Sequence, residues 1–454
     1  MNNIFLNKIL NRWNSFTSGS VNRQIFKAAM TIATGTVFVK LLAVSKEIFT
    51  VWQFGLGDQI DIFLIALLIP SFVINVVAGS LSASLIPTYI QVREKEGKLA
   101  SQKLLEGITL CAITLLIITT IIMLIIAHQY LPFIAHGFDK VKQGVTLNYL
   151  YAVSPIVLIN GIICIWSSVL NAGERFALAA VTPSFTPIVT ILLLFLFKDW
   201  GTYALVAGLI LGTGLEALIL GIALKRQKIS LLPKWYGFNP PVNQVLRQFI
   251  PKIAGSLLMC STVVIDQSMA AMLSSGSVAA LSYASRVTAF PITLANTALS
   301  TAVVPYFSKM IARDDIKGAT RSLTYYLRLI FIISIPFSGC LIIFSHSIIE
   351  QLFQKGNFTA NNTDLVASIQ SLYTLQIPFY LGCILLVRFI SSTKRNHILF
   401  YGSSINLLAN VILNYVFMKY IGLPGIALST SIVYMISFSF LSMYCFLNKN
   451  NQTN

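Results

Sequence analysis

The chain is poor in charge. Asp, Glu, Lys and Arg make up 10% of its 454 residues, against roughly 25% in soluble domains. A surface that faces water on every side cannot be built from so few. Acid is the scarcer sign, with 15 Asp and Glu against 32 Lys and Arg, which argues against an acid-lined cavity. The four histidines, His128, His136, His346 and His397, sit at the edges of loops. No nucleophile–base pair or metal-ligand spacing accompanies them, so an enzyme is not expected. The six cysteines (Cys111, Cys164, Cys260, Cys340, Cys383 and Cys445) are scattered singly through apolar runs. That spacing offers neither a disulfide framework nor a metal site, and packing thiols are the expectation. Residues 1–20, "MNNIFLNKILNRWNSFTSGS", lack the apolar core and small-residue cleavage site of a signal peptide.

What is present in abundance is hydrophobicity: 56% of the residues and a mean hydropathy of +0.77. A helix needs about 20 mostly apolar residues to cross a hydrocarbon core of about 30 Å. Such runs recur near 27–52, 60–90, 104–130, 145–170, 176–197, 201–224, 252–274, 277–308, 322–345, 366–390, 397–418 and 422–446. The weak alternation of a transmembrane barrel is absent. The expectation is an all-α polytopic membrane protein with twelve transmembrane helices. The net charge of +17 raises nucleic-acid binding, but its placement speaks against it. Lys and Arg gather on the N-terminus, the 91–103, 225–252 and 309–321 loops, the turns at Arg175 and 394–395, and the C-terminus. The alternate loops hold only Lys140, Lys142, Lys198, Lys355 and Lys419. Basic loops are the cytoplasmic ones, so both termini are expected inside. Phe5, Leu6, Ile9, Leu10, Trp13 and Phe16 share one helical face opposite Lys8 and Arg12, the pattern of a helix lying in headgroups.

The chain also repeats itself at a lag of about 221 residues. "LFLFKDWGTYALVAG" pairs with "NYVFMKYIGLPGIALS", placing Lys198 on Lys419 and Gly201 on Gly422, and "LYAVSP" meets "LYTLQIP". Many transporters are built from such repeats, with cargo bound between them near the midplane. The expected segmentation is an interfacial segment 1–26, a six-helix lobe 27–224, a basic cytoplasmic linker 225–251, a second six-helix lobe 252–446 and a cytoplasmic tail 447–454.

Charges inside spans mark function, because each costs at least about 2.5–3.5 kcal/mol at the bilayer centre. The cations are Lys40, Lys46, Arg286, Arg328 and Arg388; the acids are Glu47, Glu216 and Asp266. Counting from the outer turns puts Arg286 and Asp266 roughly 15 Å deep on neighbouring helices, with Lys46 and Glu47 at the same level in the first half. Two readings stand. Asp266 and Arg286 lock their helices as an ion pair, or Arg286 faces a central cavity opposite Lys46 and holds an anion, since a guanidinium can grip phosphate with two parallel hydrogen bonds. Arg388 and Lys40 lie nearer the cytoplasmic ends, where they either face the cavity or snorkel to headgroups. Arg328 reads as an interface anchor. Glu216 lies mid-span without an obvious partner, as a hydrogen-bonded acid or a coupling group.

Four stretches together carry a resemblance: "FGLGDQIDIFLIALLIPSF…GSLSASLIPTYIQVREKEG", "SVLNAGERFALAAVTPSFTPIV", "SSGSVAALSYASRVTAFP…ALSTAVVPYFSKM" and "LFQKGNFTA". They resemble the MurJ/MviN family, lipid II flippases of the multidrug/oligosaccharidyl-lipid/polysaccharide exporter superfamily. The resemblance implies a V-shaped pair of six-helix lobes around a cationic central cavity, working by alternating access in a bacterial inner membrane. The implied cargo is an undecaprenyl-pyrophosphate-linked sugar. The family's cavity arginine of helix eight falls on Arg286 of "YASR", and its Arg–Asp pair on Lys46 and Glu47 of "VSKE". Some members bind sodium, and the matching positions here are Asp266, Asn410, Asn414 and Thr430; no other cofactor is expected.

Three departures from the family stand out. Ile74 and Asn75 occupy the helix-two region where relatives carry arginine, Asn414 is neutral where some offer a second carboxylate, and twelve helices are expected where relatives typically have fourteen. The expected partners are the polyprenyl-pyrophosphate-linked sugar and the bilayer, with no nucleic acid and an oligomeric state the sequence leaves open. Two rivals remain: a flippase for O-antigen or exopolysaccharide repeat units, and a cation-coupled multidrug antiporter.

Overall fold

The computed structural model describes residues 21–173, 176–302, 307, 310, 315–393 and 397–450. The amphipathic pattern of residues 5–16 therefore lies outside the described residues. Helix α1 (Val21–Phe54) covers the first expected span, and a tight turn leads into α2 (Asp58–Val73). A π-helical stretch, Ile74–Gly79, carries α2 without a break into α3 (Ser80–Lys95). Next come α4 (Lys98–Ile125), the short α5 (Ala127–Ile134), α6 (Lys140–Val153), α7 (Pro155–Ala172), α8 (Phe176–Val181), α9 (Phe185–Leu196) and α10 (Tyr203–Arg226). An extended linker leads to α11 (Pro240–Ala270), then α12 (Ser277–Ala302), α13 (Ile316–Ile343), the short α14 (Ser345–Phe353), α15 (Ala360–Thr374), α16 (Ile377–Ser392), α17 (His397–Ile421) and α18 (Leu423–Asn450).

No strand occurs among the described residues, and eleven helical stretches after α1 are long and apolar enough to cross a membrane. Their outward faces fit that solvent. Ile117, Ile118, Ile121, Ile122 and Ile125 of α4 are all exposed, as are Ile332, Ile333 and Ile335 of α13. Facing water, such stripes would be an aggregation hazard; facing lipid, they cost nothing, and the helices satisfy their own backbone groups.

The repeat extends to backbone detail. Gly201 and Gly422 both adopt positive φ, +55° and +76°. Gly55 and Gly276 do so as well, at +60° and +85°. The latter two close turns where the halves touch: a Cβ on Gly55 would lie 2.4 Å from the Asn357 carbonyl oxygen, and one on Gly276 2.9 Å from Leu56 Cβ. Two spans read as continuous are each broken once, at Ser154 before Pro155 and at Leu375–Gln376 before Pro378. Proline supplies no backbone N–H, so each break falls where the ladder cannot continue. The short helices α5 and α14 also occupy matching places in the two halves.

Packing largely follows the repeat. In the first half α10 lies against α7 and α9, and α1 against α8 and α9; in the second, α18 lies against α15, α16 and α17. At the end that holds the 55–58 and 274–276 turns, both halves share one core, including Val51, Ile60, Phe63, Leu281, Tyr283 and Phe353. At the opposite end the core divides. One part gathers Leu85, Leu104, Leu220, Val242 and Val245, the other Leu323, Leu385, Leu386, Phe389 and Leu441. Helix α11 begins in the first of these and ends beside α17, bridging the halves.

Candidate functional site

Helices α1 and α12 bring three charges together. Glu47 pairs with its neighbour Lys46 at 2.5 Å and with the Arg286 guanidinium across the halves. One carboxylate thus serves two cations, and the cluster keeps a net positive charge. Arg286 retains 41% side-chain exposure, against 23% for Lys46 and 15% for Glu47. All three line a cleft of ~70 Å³ with Thr50, Thr190 and Tyr283, room for a few waters but not for a sugar. The ion pair considered between Arg286 and Asp266 is not the one formed. Arg286 turns to Glu47, because Asp266 already has neutral donors on its own side.

Those donors come from α17 and α18. Asp266 Oδ1 accepts from Asn410 Nδ2 at 2.9 Å and Asn414 Nδ2 at 2.6 Å, and Oδ2 from the Thr430 hydroxyl at 3.4 Å. Spacing of four residues sets Asn410 and Asn414 on one face of α17. The four positions matched by resemblance are therefore one cluster, with Asp266, Asn410 and Asn414 buried and Thr430 partly so.

The remaining charged candidates lie elsewhere. Lys40, half-buried, is six residues before Lys46 on α1, roughly 9 Å along the helix. Arg388 is exposed on α16, beside Phe389 of the second half's own core. Glu216 is 5% exposed on α10 and makes no hydrogen bond or ion pair among the described residues. The cleft takes Leu205 and Leu209 from that helix, so Glu216 sits about two turns beyond it. Asn75 lies in the π-helical stretch and donates to Ser71 O within its own helix at 2.9 Å.

Two contact regions between the halves went unread in the sequence. At the shared-core end, Asp61 is 1% exposed and accepts from the backbone N–H groups of Gly276 at 2.7 Å and Ala279 at 2.8 Å, capping the start of α12. Beside it, Asn357 donates its N–H to Trp52 O at 2.9 Å, Trp52 Nε1 donates to Leu352 O at 3.2 Å, and the Lys355 ammonium lies 4.9 Å from the Trp52 ring centre. An acid so close after the "GLGD" turn was the available signal. Along α3 and α11, Ser80 meets Ser256 at 2.9 Å, Gln244 meets Gln91 at 3.3 Å, and Lys252 Nζ donates to Ala83 O at 2.6 Å. That carbonyl is open because Pro87, four residues on, has no N–H to give it.

A family model described as lipid II flippase MurJ matches residues 51–453. The chain belongs to the MurJ family. Among its relatives, a probable lipid II flippase MurJ of Rickettsia prowazekii (strain Madrid E) is 24% identical over 436 residues, covering 92% of this chain and 83% of the relative. One from Buchnera aphidicola subsp. Schizaphis graminum (strain Sg) is 26% identical over 425 residues, covering 92% and 82%. A solved lipid II flippase MurJ in an inward closed conformation superposes with a TM-score of 0.78 at 25% identity, covering 91% of this chain and 87% of that one. An inward-facing multidrug resistance MATE family transporter of the MOP superfamily superposes at 0.76 with 14% identity over 92% and 99%, a likeness of fold.

The sodium site implied by the MurJ resemblance can be tested against the donor set. One carboxylate, two amide oxygens and one hydroxyl are hard ligands of single net charge, which suits a monovalent cation. The buried Asn414 Oδ1 has no hydrogen-bond partner, so that oxygen is uncommitted. Both amides now present nitrogen to Asp266 and would turn to offer oxygen. Among the described residues no group of three or more His, Cys, Asp or Glu is arranged to hold a metal ion. The residues fit the ion.

Proposed function

We propose that this MurJ-family protein flips an undecaprenyl-pyrophosphate-linked sugar of the lipid II type across the bacterial inner membrane by alternating access, with both termini cytoplasmic. The reading takes the chain as twelve spans in two six-helix lobes, 27–224 and 252–446, joined by the 225–251 linker and followed by the 447–454 tail. One observation carries it: two cations and a single acid from opposite halves meet over a partly exposed cleft. An anionic headgroup neutralises the excess charge that would otherwise resist closure.

The diphosphate enters from the end where the core is divided and docks on Arg286. There it competes with Glu47 for the guanidinium, and Lys46, Lys40 and Arg388 add positive potential along the approach. Once Arg286 leaves Glu47, the cross-half tie between α1 and α12 is released, so cargo binding favours the rearranged state. The polyprenyl tail stays in lipid. Asp266, Asn410, Asn414 and Thr430 would hold sodium, which would neutralise the carboxylate and fasten α11 to α17 and α18; Glu216 is kept as a candidate coupling acid. A multidrug antiporter taking cationic drugs is the poorer reading, because the cleft is net positive.

Replacing Arg286 with Ala is expected to abolish flipping in proteoliposomes while expression and folding persist. Arg286→Lys keeps the charge without the planar fork and is expected to retain partial activity. Normal flipping by Arg286→Ala would remove the anion-docking reading.

A further inference from the structure

Residues 227–239, between α10 and α11, form no helix, yet they expose a cluster that water would not tolerate freely. Leu232 is 70% exposed, Phe238 67%, Trp235 45% and Tyr236 44%. The flanking cations Lys225, Arg226, Lys228 and Lys234 are exposed as well. No Asp or Glu occurs between Glu216 and Asp266, so this charge has no counterion within its own stretch of chain.

The segment is nevertheless held in place from beneath. The Tyr236 hydroxyl donates to Glu106 Oε2 at 2.7 Å, and Gln102 Nε2 donates to the other oxygen at 3.1 Å. Glu106 is itself only 5% exposed. Its hydrogen bond holds the Tyr236 phenol above the usual value, so that hydroxyl stays a donor. Lys103 lies 5.7 Å from the Tyr236 ring centre, the Trp235 and Phe238 rings meet edge-on at 4.9 Å, and Lys98 Nζ donates to Gln227 O at 3.2 Å. Ile229 and Leu231 pack on the core below. Local packing thus fixes the strap while leaving its aromatic and basic groups outward, at the membrane face where α10 ends and α11 begins.

Aromatic side chains sit well at headgroup level, and clusters of 4–8 Lys or Arg next to a span attract anionic lipid. We propose that the 227–239 strap is a lipid-binding element, with Leu232, Trp235 and Phe238 seated in the bilayer interface and Lys225, Arg226, Lys228 and Lys234 on anionic phospholipid headgroups. The occupant is phospholipid rather than an acidic protein because the apolar residues interleave with the cations at a membrane boundary. The strap joins the two halves, so anionic lipid bound there holds the tether at a fixed depth while the halves move.

The test uses the full-length chain in nanodiscs, with Trp13, Trp52, Trp166 and Trp200 replaced by Phe so that Trp235 alone reports. Brominated phosphatidylglycerol is expected to quench Trp235 at least two-fold more than equally brominated phosphatidylcholine. The combined Lys225→Gln, Arg226→Gln, Lys228→Gln and Lys234→Gln variant is expected to bring the two lipids level. Native mass spectrometry of the protein with all tryptophans intact gives a second reading should the single-tryptophan form fold poorly. Retained phosphatidylglycerol is expected to fall at least two-fold in the Gln variant. Equal quenching by the two lipids, or a preference and retention that survive the Gln substitutions, overturns the proposal.

Discussion

Asp266 has three side-chain donors, and they differ in strength. Asn414 at 2.6 Å and Asn410 at 2.9 Å each donate to Oδ1, whereas the Thr430 hydroxyl is 3.4 Å away and also faces Ile426 O at 3.1 Å. Deleting one donor to a buried acceptor costs about 1–3 kcal/mol, because the group cannot turn to water instead. Asn414→Leu should therefore lower the thermal unfolding midpoint in detergent clearly more than Thr430→Val does. Equal losses would mean that Asp266 draws its stability from elsewhere. This cluster was legible only through the family resemblance, which matched Asp266 with Asn410, Asn414 and Thr430; the residues by themselves offered Arg286 as the partner of Asp266. The partner of Arg286 was not legible. Glu47 lies in the other half of the chain, and nothing local in either segment fixes how α1 and α12 face each other.

Among the helices, Pro87 of α3 shows how a local defect becomes an interhelical bond. It leaves Ala83 O without its helical donor, and Lys252 of α11 fills the vacancy at 2.6 Å. Pro87→Ala restores the N–H, after which Lys252 has less to contribute. In a double-mutant cycle, Lys252→Met should destabilise the parent by about 0.5–1.5 kcal/mol and the Pro87→Ala background measurably less. Additive losses within about 0.3–0.5 kcal/mol would show that the two residues do not act on the same carbonyl. The spans themselves were readable from apolar length. Their interruptions were not: hydropathy is blind to the switch from α to π bonding at Ile74–Gly79, and the breaks at Ser154 and Gln376 lie inside unbroken apolar runs. Helices α5 and α14 were likewise not set apart, both being too short to carry a period of their own. The expected span 104–130 ran into α5, and most of α14 was left to a loop.

The molecule as a whole is closed at one end and divided at the other, and Asp61 is central to the closure. Its buried carboxylate accepts two backbone N–H groups at the start of α12, a position favoured by the partial positive charge of a helix N-terminus. Hydrogen bonds to a charged group contribute about 1.5–3 kcal/mol each. Because 1.4 kcal/mol is tenfold in an equilibrium, losing even one should raise the open population at that end about tenfold. Ser277 lies beside the contact and is 2% exposed, so a cysteine there reports opening. In a background where the six native cysteines are serine, Ser277→Cys should resist a membrane-impermeant maleimide. Adding Asp61→Ala removes both bonds and should speed labelling by more than about tenfold and slow flipping, since a transporter that cannot hold one end shut loses the state from which cargo is taken. Asp61→Asn keeps the shape but offers a weaker acceptor, and should fall between the two. If all three label at the same rate, the closure rests on the packing of Trp52, Leu56 and Phe353 rather than on the cap, and the rocking motion has its restraint in apolar contact.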